Sequence, residues 1–266
     1  MKTGAPLLSV VVPVYNGADF VADALASICT QPYAPLEVIV IDDGSSDAGA
    51  QVIAEFRQHH WPDLEYVYQP NAGPAAARNR GLEIASGEII AFLDADDLWP
   101  DNAIQGSVEL LLNQGHQLVV GCTQQVRARS AGDRAAELQP FGEIWMAFSL
   151  CAAVFRRDVF DIVGQFDEQL RYGEDVDWFL RAREAGIDIG IRNEVTRLYR
   201  KHDSNMTLDT GQSNHYFLAA LHKSLQRRRG RNGEARDLSG VPALAGKKLA
   251  DFQTPGEAEK ESKKNA

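Results

Sequence analysis

Four short apolar runs, each closed by polar turn residues, restrict this chain to an alternating α/β architecture. Leu8 to Val12 ends at Pro13, passes through Val14-Tyr15-Asn16-Gly17 and leads to a helical pattern at Val21, Leu25 and Ile28. Val38 to Ile41 ends in Asp42-Asp43-Gly44-Ser45-Ser46-Asp47, before a helix from about Ser46 that buries Val52, Ile53 and Phe56. Leu64 to Tyr68 leads through Asn71-Ala72-Gly73-Pro74 into an Ala-rich helix carrying Arg78, Asn79 and Arg80. Ile89 to Leu93 runs straight into Asp94-Ala95-Asp96-Asp97. Strand-sized runs alternating with helix-period segments predict a mostly parallel sheet with right-handed crossovers. The polar strand tips then share one sheet edge, which is where open α/β sheets bind ligands.

The acidic triplet suits a cation. Asp94 and Asp96 are one residue apart at a strand end, so they can converge on one ion while Ala95 leaves room beside it. Mg²⁺ or Mn²⁺ takes one or two protein carboxylates and fills its octahedron with water and substrate phosphates. A solvated turn that caps the next helix is the alternative reading. Asp43 has two readings as well. Its carboxylate can accept the imide N–H of uracil, where cytosine offers an acceptor, or it can cap the helix that follows. Arg78 can neutralise phosphate or hold a local carboxylate such as Glu83. Glu174 and Asp175 open an amphipathic helix, where acids complement the N-terminal dipole by about 0.3–1 kcal/mol each.

In this order, V-V-P-V-Y-N-G, V-I-V-I-D-D-G-S-S-D, N-A-G-P-A-A-A-R-N-R-G-L and G-E-I-I-A-F-L-D-A-D-D-L-W resemble the family 2 glycosyltransferases, and R-Y-G-E-D-V-D-W-F-L-R resembles their later acceptor-side motif. The resemblance implies a GT-A fold: a Rossmann-like, mostly parallel central sheet flanked by helices, with an acceptor-side subdomain. It places Pro13, Tyr15 and Asn16 along the nucleotide site, Asp43 at the base, and Asn71 and Arg78 near the base or diphosphate. It gives Asp96, with Asp94, the metal, and makes Asp175 the general base. His202, in Y-R-K-H-D-S-N-M-T, corresponds to a late histidine that binds the metal or diphosphate. The implied reaction is metal-dependent inverting transfer from a nucleotide-sugar, with UDP the favoured carrier, to a hydroxyl of a glycan, a lipid-linked or a small acceptor.

These motifs divide the chain into a nucleotide-sugar-binding part (1–100), an acceptor-binding part (101–210), a C-terminal helix (211–230) starting near Gln212, and a tail (231–266) that reads as mobile. At 266 residues and 44% hydrophobic content, the chain can bury a full α/β core. A net charge of −10 opposes nucleic-acid binding. No apolar run has transmembrane length and no signal-peptide core follows Met1, so a cytoplasmic enzyme is expected, with room for peripheral contact at the inner face of the membrane. Arg227-Arg228-Arg229 and Arg231 are either dipole partners at a helix end or contacts to anionic lipid. Cys29, Cys122 and Cys151 read as buried thiols. Residues 122 to 150, with Arg127, Arg129, Arg134, Phe141, Trp145, Met146 and Phe148, read as an irregular, acceptor-facing segment. A haloacid-dehalogenase phosphatase, a sugar-nucleotide pyrophosphorylase, a dinucleotide oxidoreductase and a catalytically degenerate nucleotide-sugar-binding module are the rival readings. The first three lack their expected motifs. Retention of Asp94, Asp96, Asp175 and His202 together opposes the fourth.

Overall fold

The computed structural model describes residues 4–127, 137–146, 148–203, 205, 210–230 and 247–248. Its first half is β1 (Leu8–Val14), α1 (Val21–Cys29), β2 (Leu36–Asp43), α2 (Gly49–His59), β3 (Glu65–Gln69), α3 (Pro74–Ile84) and β4 (Ile89–Phe92). β3, β2, β1 and β4 lie side by side in that order, all parallel. β1 shows why this sheet is covered on both faces. Val10 and Val12 pack with Val21, Leu25, Ile28 and Phe56 on one side, while Val11 packs with Ile41, Ala77 and Leu82 on the other. Each valine is fully buried and contributes about 1.5–3 kcal/mol. α3 approaches β1 so closely that a Cβ on Gly81 would lie 2.2 Å from the Val11 side chain, which requires glycine there.

The second half continues the same sheet as a mixed one, with two of its strands reversed. It comprises α4 (Ala103–Asn113), β5 (Leu118–Arg127), β6 (Gln139–Met146), a 3-10 turn at Leu150–Ala152, β7 (Ala153–Arg156), α5 (Asp158–Val163), α6 (Glu174–Ala185), β8 (Ile189–Lys201), α7 (Thr210–Gly230) and β9 (Lys247–Lys248). β7 is antiparallel to both β4 and β5, so it joins the halves. β5 has β8 parallel along one edge, and β7 and then β6 antiparallel along the other.

Several boundaries depart from expectation. Residues 122 to 150 are not irregular among the described residues, because β5 runs on to Arg127 and β6 answers it; Arg129 and Arg134 lie outside those residues. The sequence reading missed these strands because Gly121, Gln124, Gln125 and Gly142 break the apolar alternation. α2 begins at Gly49 and α7 at Thr210. Cys29 is exposed, whereas Cys122 and Cys151 are buried. In the 231–266 tail the described residues are Lys247–Lys248, which pair antiparallel with β6. Among the described residues, no helix is long and apolar enough to cross a membrane.

Candidate active site

The tips of β1, β2 and β3 form one hydrogen-bonded unit. Asn16 takes a left-handed conformation (φ 49°), which asparagine tolerates. Its side-chain oxygen accepts the Ser46 N–H at 2.8 Å, and its own N–H donates to Ser45 Oγ at 2.9 Å. Asp47 accepts from the N–H groups of Ala18 and Gly49, both at 2.9 Å. Asp42 accepts from the Ser45 N–H at 2.8 Å and from the Tyr66 hydroxyl at 2.7 Å. The Asp43 carboxylate accepts from Gln69 Nε2 and from the N–H groups of Ala72 and Gly73, at 2.7–2.9 Å. It therefore shapes the approach to α3, and not the start of α2. Three of its roughly four acceptor positions are used. Asn71 is exposed, and its Nδ2 donates to the Asp43 carbonyl at 2.9 Å. Gly44, at φ +80°, lets this chain pass; a Cβ there would meet Asn71 N at 2.6 Å. Pro13 is half-buried, while Tyr15 and Tyr68 are exposed, at 58% and 60%.

Beside this unit lies a chain of buried ion pairs. Arg78, on α3, points inward and not toward Glu83; Arg80 takes Glu83 instead. One Arg78 nitrogen binds Asp94 at 2.6 Å and the other binds Glu174, at the start of α6. Arg78 thus ties the acidic loop to the Glu174-Asp175 pair, reaching Glu174 across 96 residues of sequence. Asp97 is fully buried, receives Arg197 Nε at 2.5 Å and accepts the Arg200 N–H at 3.3 Å. Leu98 and Leu198 exchange backbone hydrogen bonds, which fastens the acidic loop to β8. That fastening carries His202, just beyond β8, to Asp96: Nε2 and Oδ2 are 3.0 Å apart. Asn205 Nδ2 reaches the same Asp96 oxygen at 3.3 Å, and Phe20 packs on the His202 ring with centroids 4.3 Å apart.

The charges respond to this burial. Desolvation pushes Asp94 upward, but the guanidiniums of Arg78 and Arg197 outweigh it and hold the carboxyl below its ordinary range. Glu174 is pushed up to about 7, chiefly by burial, with Arg78 opposing and Asp175 adding to the rise. One guanidinium shared by two carboxylates neutralises only one of them. Asp97 also rises to about 7, from burial first, against the pull of Arg197 and with help from Asp96 and Asp94. Asp175 is raised too, mainly by burial.

Among the described residues, one group of possible metal-ligating side chains has its ligand atoms gathered. Asp94, Asp97 and Cys151 place ligand atoms within 4.8 Å of one another. Chemistry disfavours that set, because Asp97 is enclosed by Arg197 and burial keeps the Cys151 thiol protonated. Asp94 and Asp96 are the open carboxylates, with side chains 30% and 31% exposed. These carboxylates and the His202 imidazole beside Asp96 are ligand types that a hard or borderline cation takes, although the three side chains are not gathered at one point in this structure. The structure pairs Asp96 with His202, while Asp94 is held by Arg78. Sequence reasoning missed Arg197, Asp97, Asn205 and the Arg200–Asp23 pair (3.0 Å). The available signal was Asp97 itself, a third acid directly before the buried Leu98-Trp99. Asn205 also opens a glycosylation sequon, yet it is buried and hydrogen-bonded to the Arg200 carbonyl at 3.1 Å. Arg227 is bound by Asp177 and Glu184, so it is not a free lipid contact.

The family model for Glycosyl transferase family 2 matches residues 9–205. An uncharacterized glycosyltransferase of Rickettsia typhi is 27% identical over 220 residues, covering 77% of this chain and 67% of its own. Glycosyltransferase AglE of Haloferax volcanii is 31% identical over 206 residues, covering 73% and 67%. The chain thus spans about two thirds of the length of these two relatives. Among solved structures, S. aureus TarS 1–349 in complex with UDP-GlcNAc aligns with a TM-score of 0.67 at 20% identity, over 86% of this chain and 68% of that one. Mannosyltransferase PcManGT of Pyrobaculum calidifontis, in complex with GDP-Man and Mn²⁺, aligns with a TM-score of 0.66 at 22% identity, over 88% and 67%. At these identities, the structural matches establish the GT-A fold.

Proposed function

The chain belongs to glycosyl transferase family 2, and on that premise we propose that this glycosyltransferase moves a sugar from a UDP-linked donor to an acceptor hydroxyl with inversion, in the presence of Mn²⁺ or Mg²⁺. The observation that carries the reading is Arg78, which binds Asp94 and Glu174 at once. A donor diphosphate at the acidic loop and an acceptor at Asp175 then share one cleft.

The donor lies across the β1–β3 tips. Tyr15, Pro13 and Asn16 line it, Asn71 flanks it, and Asp43 offers its remaining acceptor position to the base. An imide N–H suits that position, whereas the ring nitrogen of cytosine does not. Guanine also presents an N–H, and the two solved neighbours carry different bases, so the fold leaves the choice open to measurement. Asp94, Asp96 and His202 hold the cation, whose chemistry is to offset negative charge on the departing diphosphate. Arg78 acts here by fixing Asp94 and Glu174, and not as a phosphate clamp. Asp175 takes the proton from the acceptor hydroxyl as that oxygen attacks the anomeric carbon and the bond to UDP breaks. Its raised pKa makes it a better base than a solvated aspartate.

Calorimetric titration of UDP, GDP and dTDP, with Mn²⁺ and then with EDTA, tests the reading. The expected result is Mn²⁺-dependent binding of UDP. Asp96→Ala should weaken the Mn²⁺-dependent part by about 10- to 100-fold. Absence of binding for all three nucleotides under both conditions would overturn the proposal.

A further inference from the structure

The registers of β5 build a patch next to the site. Thr123, Gln125 and Arg127 pair with Arg197, Tyr199 and Lys201 of β8, and with Trp145, Phe141 and Gln139 of β6. Directly paired residues share a face of a pleated sheet, so the three strands present cations, polar groups and rings together. The contacts agree with the register. Arg127 lies 5.0 Å above the Phe141 ring, and Arg197 and Lys201 lie 4.7 and 5.3 Å from the Tyr199 centroid. The patch starts at the site, where Arg197 holds Asp97 and Ser149, and extends to Arg127 and Lys201.

Charge separates the two ends. Arg197 is balanced by buried Asp97. Arg127 and Lys201 rest on rings with no carboxylate in ion-pair range among the described residues, in a chain of net charge −10. Cations spaced between aromatic faces suit a ligand that alternates anionic groups with rings. We propose that this patch binds the acceptor and that the acceptor is a saccharide bearing phosphate groups. Trp145 offers its ring to a sugar, and Arg127 and Lys201, seated on Phe141 and Tyr199, take the phosphates. A lipid surface fits less well. Among the described residues, the exposed large hydrophobics Tyr15, Tyr68, Leu112, Ile162, Leu218 and Leu225 all lie outside the three strands of the patch. Naming the ligand as acceptor rests on the transferase reading; the charge and ring pattern stands apart from it.

The test is calorimetry on the full chain with phosphorylated maltodextrin, unmodified maltodextrin and phosphatidylglycerol vesicles, with UDP titrated in parallel. The phosphorylated form should bind at least about tenfold more tightly than the neutral one, and the preference should fall with salt. Arg127→Gln and Lys201→Gln should each weaken it by about 3- to 10-fold, with Arg127→Lys largely retaining it and UDP affinity unchanged throughout. Equal affinity for both maltodextrins, indifference to Arg127→Gln and Lys201→Gln combined in one chain, or stronger charge-dependent binding to vesicles would overturn the proposal. If UDP fails to bind while phosphorylated maltodextrin binds as expected, the donor assignment fails and the patch stands. The reverse result sinks the patch alone.

Discussion

The two halves of the sheet organise their polar groups differently. In the parallel half, Asn16, Asp42, Asp43 and Asp47 bond backbone N–H groups, mostly of the neighbouring strand tip, so this side is shaped by neutral donors that join successive loops. In the second half, contacts to the acidic loop and its surroundings are guanidinium–carboxylate pairs that cross between halves: Arg78 to Glu174, Arg197 to Asp97 and Arg200 to Asp23. A cap satisfied by backbone shapes a surface to which a ligand can add. A buried ion pair ties two bodies together, and losing one partner leaves an uncompensated charge. The first arrangement suits donor binding. The second suits holding a base at a set place relative to the donor.

Substitutions that separate binding from turnover test this contrast. The largest effect is expected for Asp175→Asn, which should lower turnover by about 10²- to 10⁴-fold while calorimetry finds the nucleotide affinity kept. Parallel loss of both would remove the division of labour between the halves. Arg78→Met strands Asp94 and Glu174 together and should cost about 3–5 kcal/mol in denaturant unfolding, with Arg78→Lys intermediate. A cost near that of a surface substitution would mean that the halves are not tied through this residue.

Acid–base behaviour gives a subtler comparison. Glu174, raised from 4.5 to about 7, keeps in the fold a proton that the unfolded chain releases, so its contribution to stability falls as pH rises through that window. Depressed Asp94 acts oppositely, contributing above the ordinary carboxylate range and losing that contribution as pH falls. Glu174→Gln should therefore flatten the decline of stability between pH 4.5 and about 7, read from urea midpoints; an unchanged slope would assign the decline elsewhere. The smallest effect belongs to the parallel half. Tyr66→Phe removes one bond to Asp42 and should cost about 0.5–1.5 kcal/mol, weakening UDP binding and leaving the chemical step unaltered. A change in turnover at saturating donor would blur the boundary between the halves.

Legibility in the sequence followed the same divide. The apolar runs of β1, β2 and β4 carried the parallel half, since strands buried on both faces have little choice of residue. β5 and β6 were less visible, because Gln124, Gln125, Gly142 and Glu143 obscure strands that are partly exposed and bulged. Arg78 was recognised as a site residue, but Glu83 was its nearest acid in sequence. Its actual partners stand 16 and 96 residues away.

Periodicity and turn chemistry are local properties, so the alternation of strands and helices along the first half, the acidic loop at a strand tip and the acids opening α6 were determined by the sequence itself. Pairing of charges is not local. Which carboxylate Arg78 shares, that Asp96 meets His202, and that Arg127 and Lys201 of two different strands share a face beside the site were decided by tertiary structure. Burial removes water as a competing partner, and the packing of β8 against the acidic loop then leaves each charge only the neighbours that the fold provides.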